Sequence, residues 1–360
     1  MLNRRAVLAG TVSLAFLSAC SQNGENGSGG TSEGGAVGIA MPTRASDRWL
    51  TDGKSVVQSL KARGYKTKLV YGDDDPKTQA AQIKGLIAQG VDALIIAAID
   101  NKSLNGVLQR AADADIAVIS YDRLILGTRN VDYYVSFDNE MVGRMQAHHI
   151  IEKLGLEDGK GPFNIELFAG SPDDHNTKYF FDGSMALLQP FLDDGKLVVP
   201  SGQTKLDRIT TLRWDGPTAQ RRMSGILAKS YGDRKVDAVL SPYDGISRGI
   251  LSALKSAGYG SGGRPLPVVT GQDAELDSVK SIIAGQQSQT VYKDVRQLAQ
   301  AAATMVDDIL NEREPEVDNS VDYDNGVKAV PAVLLQPASV DRTNYDVLVQ
   351  SEYFTADQLK

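Results

Sequence analysis

Residues 163–183 read FNIELFAGSPDDHNTKYFFDG. The run 163–168 is largely apolar, with Glu166 as its only charge. The small residues Ala169, Gly170 and Ser171 break it, a polar cluster of Asp173, Asp174, His175 and Asn176 follows, and then come Tyr179, Phe180 and Phe181. This order predicts a buried strand, a tight turn and a helix, with polar groups gathered at the carboxyl end of the strand. In open α/β sheets that end is where ligands bind.

The pattern recurs on both sides of this stretch. Upstream, strands are expected at 37–41, 66–71, 93–98 (ALIIAA) and 116–120, separated by helical patterns near 46–60, 78–89 and 104–112. A continuous apolar run such as 93–98 suits a strand covered on both faces. Four strands alternating with helices over about 85 residues imply a parallel sheet of right-handed βαβ units. Downstream, strands are expected at 163–168, 236–240, 267–270 and 289–292, among helices at 141–153, 179–190, 218–230, 245–257, 276–284 and 295–312. Two similar α/β lobes in one chain place a cleft between them, a favoured position for a small ligand.

Composition narrows the function. The 360 residues are 42% hydrophobic and 23% charged, as in an ordinary globular protein, and the length favours two domains. A net charge of −7 argues against a nucleic-acid partner. One cysteine excludes an intrachain disulfide and a cysteine-rich metal site, and three histidines, His148 and His149 adjacent, leave little material for a zinc site, so no metal and no cofactor are expected.

The cysteine is Cys20. Residues 1–20 carry Arg4 and Arg5, an apolar run of about fourteen residues and then small residues, the layout of a secretory signal peptide. Leu17-Ser18-Ala19-Cys20 resembles a bacterial lipobox, which implies lipid on Cys20 and an anchor to the membrane. Residues 21–36, SQNGENGSGGTSEGGA, read as a flexible tether. Together these predict a membrane-anchored lipoprotein on the outer face of the cytoplasmic membrane or in the periplasm; whether Sec or twin-arginine export carries it stays open.

The strand ends hold the candidate site. Arg48 and Trp49 follow the first strand, with Thr43 and Ser46 nearby. Asp122 and Arg123 follow 116–120, Asp174, His175 and Asn176 follow 163–168, and Tyr243 and Asp244 follow 236–240. Gln272 and Asp273 come after 267–270 and Lys293 after 289–292, while Arg213 and Trp214 lie in a loop before the helix at 218. Sugar hydroxyls both donate and accept, so carboxylates facing Arg, Lys and amide donors suit a polyol. Charged hydrogen bonds contribute about 1.5–3 kcal/mol each. A few such bonds match the roughly 8 kcal/mol of a micromolar complex. Trp49 and Trp214 offer flat faces to the C–H side of a pyranose. Competing duties are plain: Asp and Ser at such turns also cap helices, Asp100, Asp138 and Asp294 above all, and Phe180 and Phe181 fit a core.

Other chemistries fit poorly. No phosphate-binding G-x-x-x-x-G-K-[ST] occurs. Gly258, Gly260 and Gly263 have the G-x-G-x-x-G spacing but follow a helix and precede a strand, the reverse of a dinucleotide site. The G-x-S-x-G at 30–34 lies in the tether. A glycoside hydrolase would need two carboxylates about 5–10 Å apart, one of them a general acid. Here the acids come with Arg or Lys, which lower a carboxyl pKa.

The motifs VGIAMPTRASDRW, VISYDRL, YYVSFDNEMVG, FAGSPDDHN, KVDAVLSPYDG, VVTGQDAE and TVYKD resemble, in order and spacing, the sugar-binding proteins of bacterial ABC importers. The similarity is to the xylose-binding and multiple-monosaccharide (ChvE-type) branch of the type I periplasmic binding protein fold, from about residue 37 to 360. It implies two Rossmann-like lobes with parallel sheets and a ligand cleft at the hinge. The expected division is 37–139 plus 294–327 for one lobe and 140–293 plus 328–360 for the other, with crossovers near 138–141, 294 and 325–331. On the matching motifs it implies that Arg48, Trp49, Asp122, Arg123, His175, Asn176, Arg213, Trp214, Asp244, Asp273 and Lys293 hold a monosaccharide. His175 stands where the pattern has asparagine. The implied activity is capture of an aldose such as xylose, glucose, galactose or arabinose by a monomer. Delivery follows, to an ABC permease with its ATP-binding subunit, without chemistry on the sugar. The alternatives are a sugar or furanosyl-signal sensor feeding a chemoreceptor or kinase, and, further off, the hydrolase. A repressor effector domain would need a helix-turn-helix where the export signal stands.

Overall fold

The computed structural model describes residues 34–360; the expected signal peptide, Cys20 and most of the expected tether lie outside the described residues. Twelve strands follow in chain order among the described residues. They are β1 Gly34–Met41, β2 Tyr65–Tyr71, β3 Ala93–Ile96, β4 Ala117–Tyr121, β5 Tyr133–Phe137, β6 Phe163–Leu167, β7 Leu197–Val198, β8 Ala238–Leu240, β9 Val268–Val269, β10 Gln289–Tyr292, β11 Ala332–Leu335 and β12 Ala338–Asp341.

The first sheet has the order β11-β5-β4-β3-β1-β2 and is parallel throughout. Alternation along its strands sorts side chains to two cores, as a period of two requires. Val37, Ile39 and Met41 of β1, with Ala93 and Ile95 of β3, meet the helices Asp47–Ala62 and Val295–Leu310. Ala40, Leu94 and Ile96 point the other way, into a core with Ile83, Leu86 and Leu108 from the helices Pro76–Ala88 and Asn105–Ala112.

The second sheet, β7-β6-β8-β9, is also parallel, and its two faces are again both buried. Ile165, Leu167, Ala238 and Leu240 face one core with Ile150 and Leu188, while Val239 and Val269 face another with Met223 and Ile250. β10 extends this lobe through a bridge from Val291 to Gln272 and pairs antiparallel with β12. The Gly258–Gly263 stretch is a turn between a helix and β9, with positive φ at Gly258, Gly260 and Gly263.

One expected boundary is corrected. Residues 328–360 do not all belong with the second sheet, because Ala332–Leu335 pairs in parallel with Tyr134–Phe137 at the edge of the first. The chain leaves that sheet only after Leu335, and Ala338 then pairs with Tyr292. The four residues of β11, AVLL, are as apolar as those of β3, but apart from Ala332 they are only half-buried at the edge of the sheet. Asp138 and Asp294 cap helices, each carboxylate accepting a backbone N–H of the first turn. Ser46 holds a cap position but makes no cap bond; its hydroxyl lies 3.4 Å from Oε1 of Glu275 instead.

Candidate functional site

The carboxyl ends of both parallel sheets open on one cavity of about 500 Å³, walled by residues of both lobes. Arg48 dominates it. It opens the helix after β1, and its guanidinium serves three carboxylates from three elements. Nε donates to Asp52 at 3.2 Å, Nη1 to Asp273 at 3.3 Å, and Nη2 to Asp122. Burial opposes the charge on Arg48, but Asp122, Asp273 and Asp52 outweigh it and raise its pKa.

Asp122 is delivered by the backbone at the end of β4. It sits at φ 60°, a left-handed conformation that few non-glycine residues adopt. Its carbonyl accepts from the Tyr134 hydroxyl, the Ser136 hydroxyl and the Asn176 amide at 2.8, 3.0 and 2.8 Å. Burial works against the Asp122 carboxylate, yet Arg48, Lys293 and Arg123 hold its pKa below the usual value. Asp273 is placed the same way, at φ 89° after β9, with the buried Lys293 ammonium 2.8 Å away. That ammonium also lies 5.8 Å from the ring centres of Phe137 and Phe180.

Arg123 meets Asp174 across the cleft at 2.9 Å and donates to the Ala98 carbonyl at 3.1 Å. Burial raises the Asp174 carboxyl despite that partner. The guanidiniums of Arg48 and Arg123 lie 4.6 and 5.0 Å from the ring centre of Trp49, each a cation against its π system. On the opposite wall Arg213 and Trp214 both have positive φ. The Ser171 hydroxyl accepts the Arg213 backbone N–H at 2.8 Å, and the guanidinium reaches Asp173 at 2.5 Å and the Ile99 carbonyl at 3.1 Å. Trp214 stands edge-on to Phe180 and Tyr243, at 6.1 and 6.0 Å. Gly170 makes room for it: a Cβ there would lie 2.0 Å from the indole.

Arg48, Trp49, Asp122, Arg123, Asn176, Arg213, Trp214, Asp273 and Lys293 all line this cavity. Two expected residues do not. His175 turns outward, edge-on to Tyr179 at 5.2 Å, and borders a separate groove with Asn101 and Lys102. Successive helix positions differ by about 100°, so His175 and Asn176 cannot both face the ligand. Asp244 is a buried brace instead of a cavity group. It accepts from Gln287 at 2.8 Å, from the Glu275 backbone at 2.9 Å and from Thr290 at 3.0 Å, and burial pushes its carboxyl up. Its neighbours Tyr243 and Gly245 take the wall position.

Of the other strand-end candidates, Asp174, Tyr243 and Gln272 also line the wall, while Phe180, Gln220 and Arg248 are wall residues that the sequence reading did not place there. Phe180 lies one turn after Asn176 and shares its helix face, which the spacing allows one to see. Three buried polar atoms on the wall, Nε of Arg123, Nε1 of Trp214 and Oε1 of Gln272, have no hydrogen-bond partner among the described residues, the Arg123–Asp174 contact being an ion pair only. The result is a chamber of paired charges and aromatic faces, suited to a neutral ligand rich in hydroxyls.

Residues 37–314 match the profile of the periplasmic binding protein domain. The multiple sugar-binding periplasmic receptor ChvE of Rhizobium radiobacter is 57% identical over 327 residues, 91% of this chain and 92% of that protein. The D-xylose-binding periplasmic protein of Escherichia coli K12 is 32% identical over 324 residues, 90% of this chain and 92% of the relative. An ABC transporter solute binding protein of Clostridium phytofermentans, solved with bound β-D-glucose, superposes with a TM-score of 0.87 at 43% identity. It covers 90% of this chain and 100% of its own. With two parallel α/β lobes and this match, the chain belongs to the periplasmic binding protein family, in its type I fold.

Proposed function

We propose that this chain is an extracytoplasmic sugar receptor that closes on one monosaccharide, an aldose, and delivers it to the permease of an ABC importer. The observation that carries the reading is the Arg48 guanidinium held by Asp52, Asp122 and Asp273, with Arg123–Asp174 and Lys293–Asp273 beside it. A carboxylate engaged by a cation still has lone pairs for two hydroxyls, and the guanidinium edges donate to ring and hydroxyl oxygens. Trp49, Trp214 and Phe180 face the apolar side of such a ring. Two relatives carry sugar binding in their names, and a structural neighbour holds β-D-glucose. Capture is by differential contact: groups on both lobes meet the sugar only when the cleft is shut, so ligand shifts the open–closed equilibrium. The proposed sugar-contacting residues are Arg48, Trp49, Asp122, Arg123, Asn176, Trp214, Asp273 and Lys293, with Arg213 bridging the lobes. Lipid on Cys20 would hold the protein at the membrane, which mass spectrometry of the mature N-terminus tests.

A thermal-shift screen with aldopentoses, aldohexoses and uronic acids tests the reading. A ligand at 100 times its dissociation constant adds about 2.7 kcal/mol of stability. A panel in which no sugar moves the melting temperature would refute it, and turnover of aryl glycosides would favour the hydrolase.

A further inference from the structure

Under the floor of the cavity lies a carboxyl with no place in the wall. Asp52 is fully buried, one helical turn after Arg48 on the helix Asp47–Ala62. One of its oxygens accepts Nε–H of Arg48 at 3.2 Å, and the other accepts the Tyr121 hydroxyl. A guanidinium is a rigid planar fork. Fixing Nε fixes the plane, and so the directions in which Nη1 and Nη2 reach Asp273 and Asp122.

We propose that Asp52 is a positioning residue for sugar capture, which sets the Arg48 plane and takes up a proton as the lobes close, so that affinity is higher in acid. The proposal rests on the sugar-receptor reading.

The surroundings decide the sign. Arg48 faces Asp52 from its own helix, Tyr121 and Asp122 from the end of β4, and Asp273 from the turn after β9. Tyr71 at the end of β2 and Tyr353 of the C-terminal segment lie within its electrostatic reach. Burial raises the Asp52 carboxyl to about 7, against the pull of Arg48 and the Tyr121 hydroxyl, and Asp122 and Asp273 push it further up. Asp273 alone among these carboxylates belongs to the second lobe. Opening the cleft removes its charge and admits water, so two of the influences that raise Asp52 weaken together. The closed form therefore binds the proton more tightly. Affinity is greatest below the open-form pKa, falls as pH rises from there to about 7, and is level above.

Titration calorimetry of D-glucose into the mature protein, in buffers of different ionisation enthalpy, measures the protons bound. We expect a fraction of a proton taken up near pH 6.5, and about five- to tenfold weaker binding near pH 8 than near pH 6. Asp52→Asn keeps the shape but cannot titrate; it should follow the acid limb of the wild type at every pH, without proton uptake. Asp52→Ala removes the brace and should bind more weakly throughout. Tyr121→Phe deletes a donor to the charged form and should move the pH window upward. Binding by the wild type with no proton uptake, or uptake retained in D52N, overturns the inference while leaving the receptor reading intact. An absence of heat with every aldose at every pH removes both.

Discussion

Replacing Arg123 by alanine separates a contact made on closure from one that holds the fold. Arg123 follows β4 on the first lobe, and Nε lies 2.9 Å from Oδ2 of Asp174 on the second. In the closed cleft the Asp174 side chain is 3% exposed. Without Arg123 it would be a lone buried carboxylate, and breaking such a pair from one side costs about 3–5 kcal/mol. Asp174 has another course, which is to accept a proton. From an open, hydrated value near 3.9, neutralisation at pH 7 costs about 4 kcal/mol at 1.36 kcal/mol per unit, and this caps the loss. The expected penalty is therefore about 3–4 kcal/mol, or roughly 150- to 700-fold in Kd.

That penalty falls on binding, because the two partners separate and hydrate when the cleft opens. The ligand-free Tm should move little, while the sugar-induced shift collapses. Acidity should relieve the defect. The closed variant raises the Asp174 pKa above its open value, so closure takes up a proton and strengthens as pH falls. Near pH 5 neutralisation costs only about 1.5 kcal/mol, leaving a deficit of about tenfold against wild type at the same pH. Calorimetry with D-glucose at both pH values, wild type beside variant, is the assay. A Kd within about threefold of wild type at pH 7 would refute the reasoning. So would a fall in ligand-free Tm as large as the lost ligand shift.

His175→Ala should leave sugar affinity within about twofold, since the ring packs on Tyr179 outside the cavity; calorimetry giving a tenfold loss would return it to the site. Asp244→Ala should cost about 2–4 kcal/mol of folding stability, because the Gln287 amide and the Glu275 N–H lose their buried acceptor. Denaturant titration checks this, and unchanged stability with altered affinity would contradict it. Gly170→Ala drives a methyl into Trp214 and should weaken binding at least about tenfold. The chain has two tryptophans, so a shifted emission spectrum should accompany the loss.

Most of the strands expected upstream were found, the half-buried edge strand Tyr65–Tyr71 among them, while the buried Tyr133–Phe137 was missed. Ala93–Ile96 is apolar at every position, and no other arrangement covers such a run so readily. The strands Tyr133–Phe137 (YYVSF) and Ala332–Leu335 (AVLL) carry aromatic and aliphatic strand formers yet lie outside the expected strands, and only their mutual parallel pairing puts the second on the first sheet. At the site, position after a strand located Arg48 and Asp122 on the rim of the first sheet and Asp273 and Lys293 on the other lobe, and the facing of the two lobes brings them to one cavity. Orientation was not legible in the same way. His175 differs from Asn176 by one residue, and Asp244 from Tyr243 and Gly245 by one, yet in each case the neighbour faces the cavity. Asp52 did leave a trace, an acid four residues after Arg48, but only the burial of that pair distinguishes it from a solvated surface couple.

The charge arrangement also explains how a receptor of this build stays responsive. Arg48–Asp273 and Arg123–Asp174 join the lobes, yet desolvating an ion pair consumes most of what the attraction returns. Closure of the empty cleft is therefore close to balanced. A cleft of apolar surfaces would instead shut on itself, and sugar would have to reopen it. With paired charges, the hydroxyls of a ligand supply the hydrogen bonds that the ion pairs leave incomplete, and a preference of a few kcal/mol suffices to move the population. The same balance makes the site sensitive to any uncompensated charge, so removing either member of a cross-lobe pair should disable capture more than removing an aromatic face.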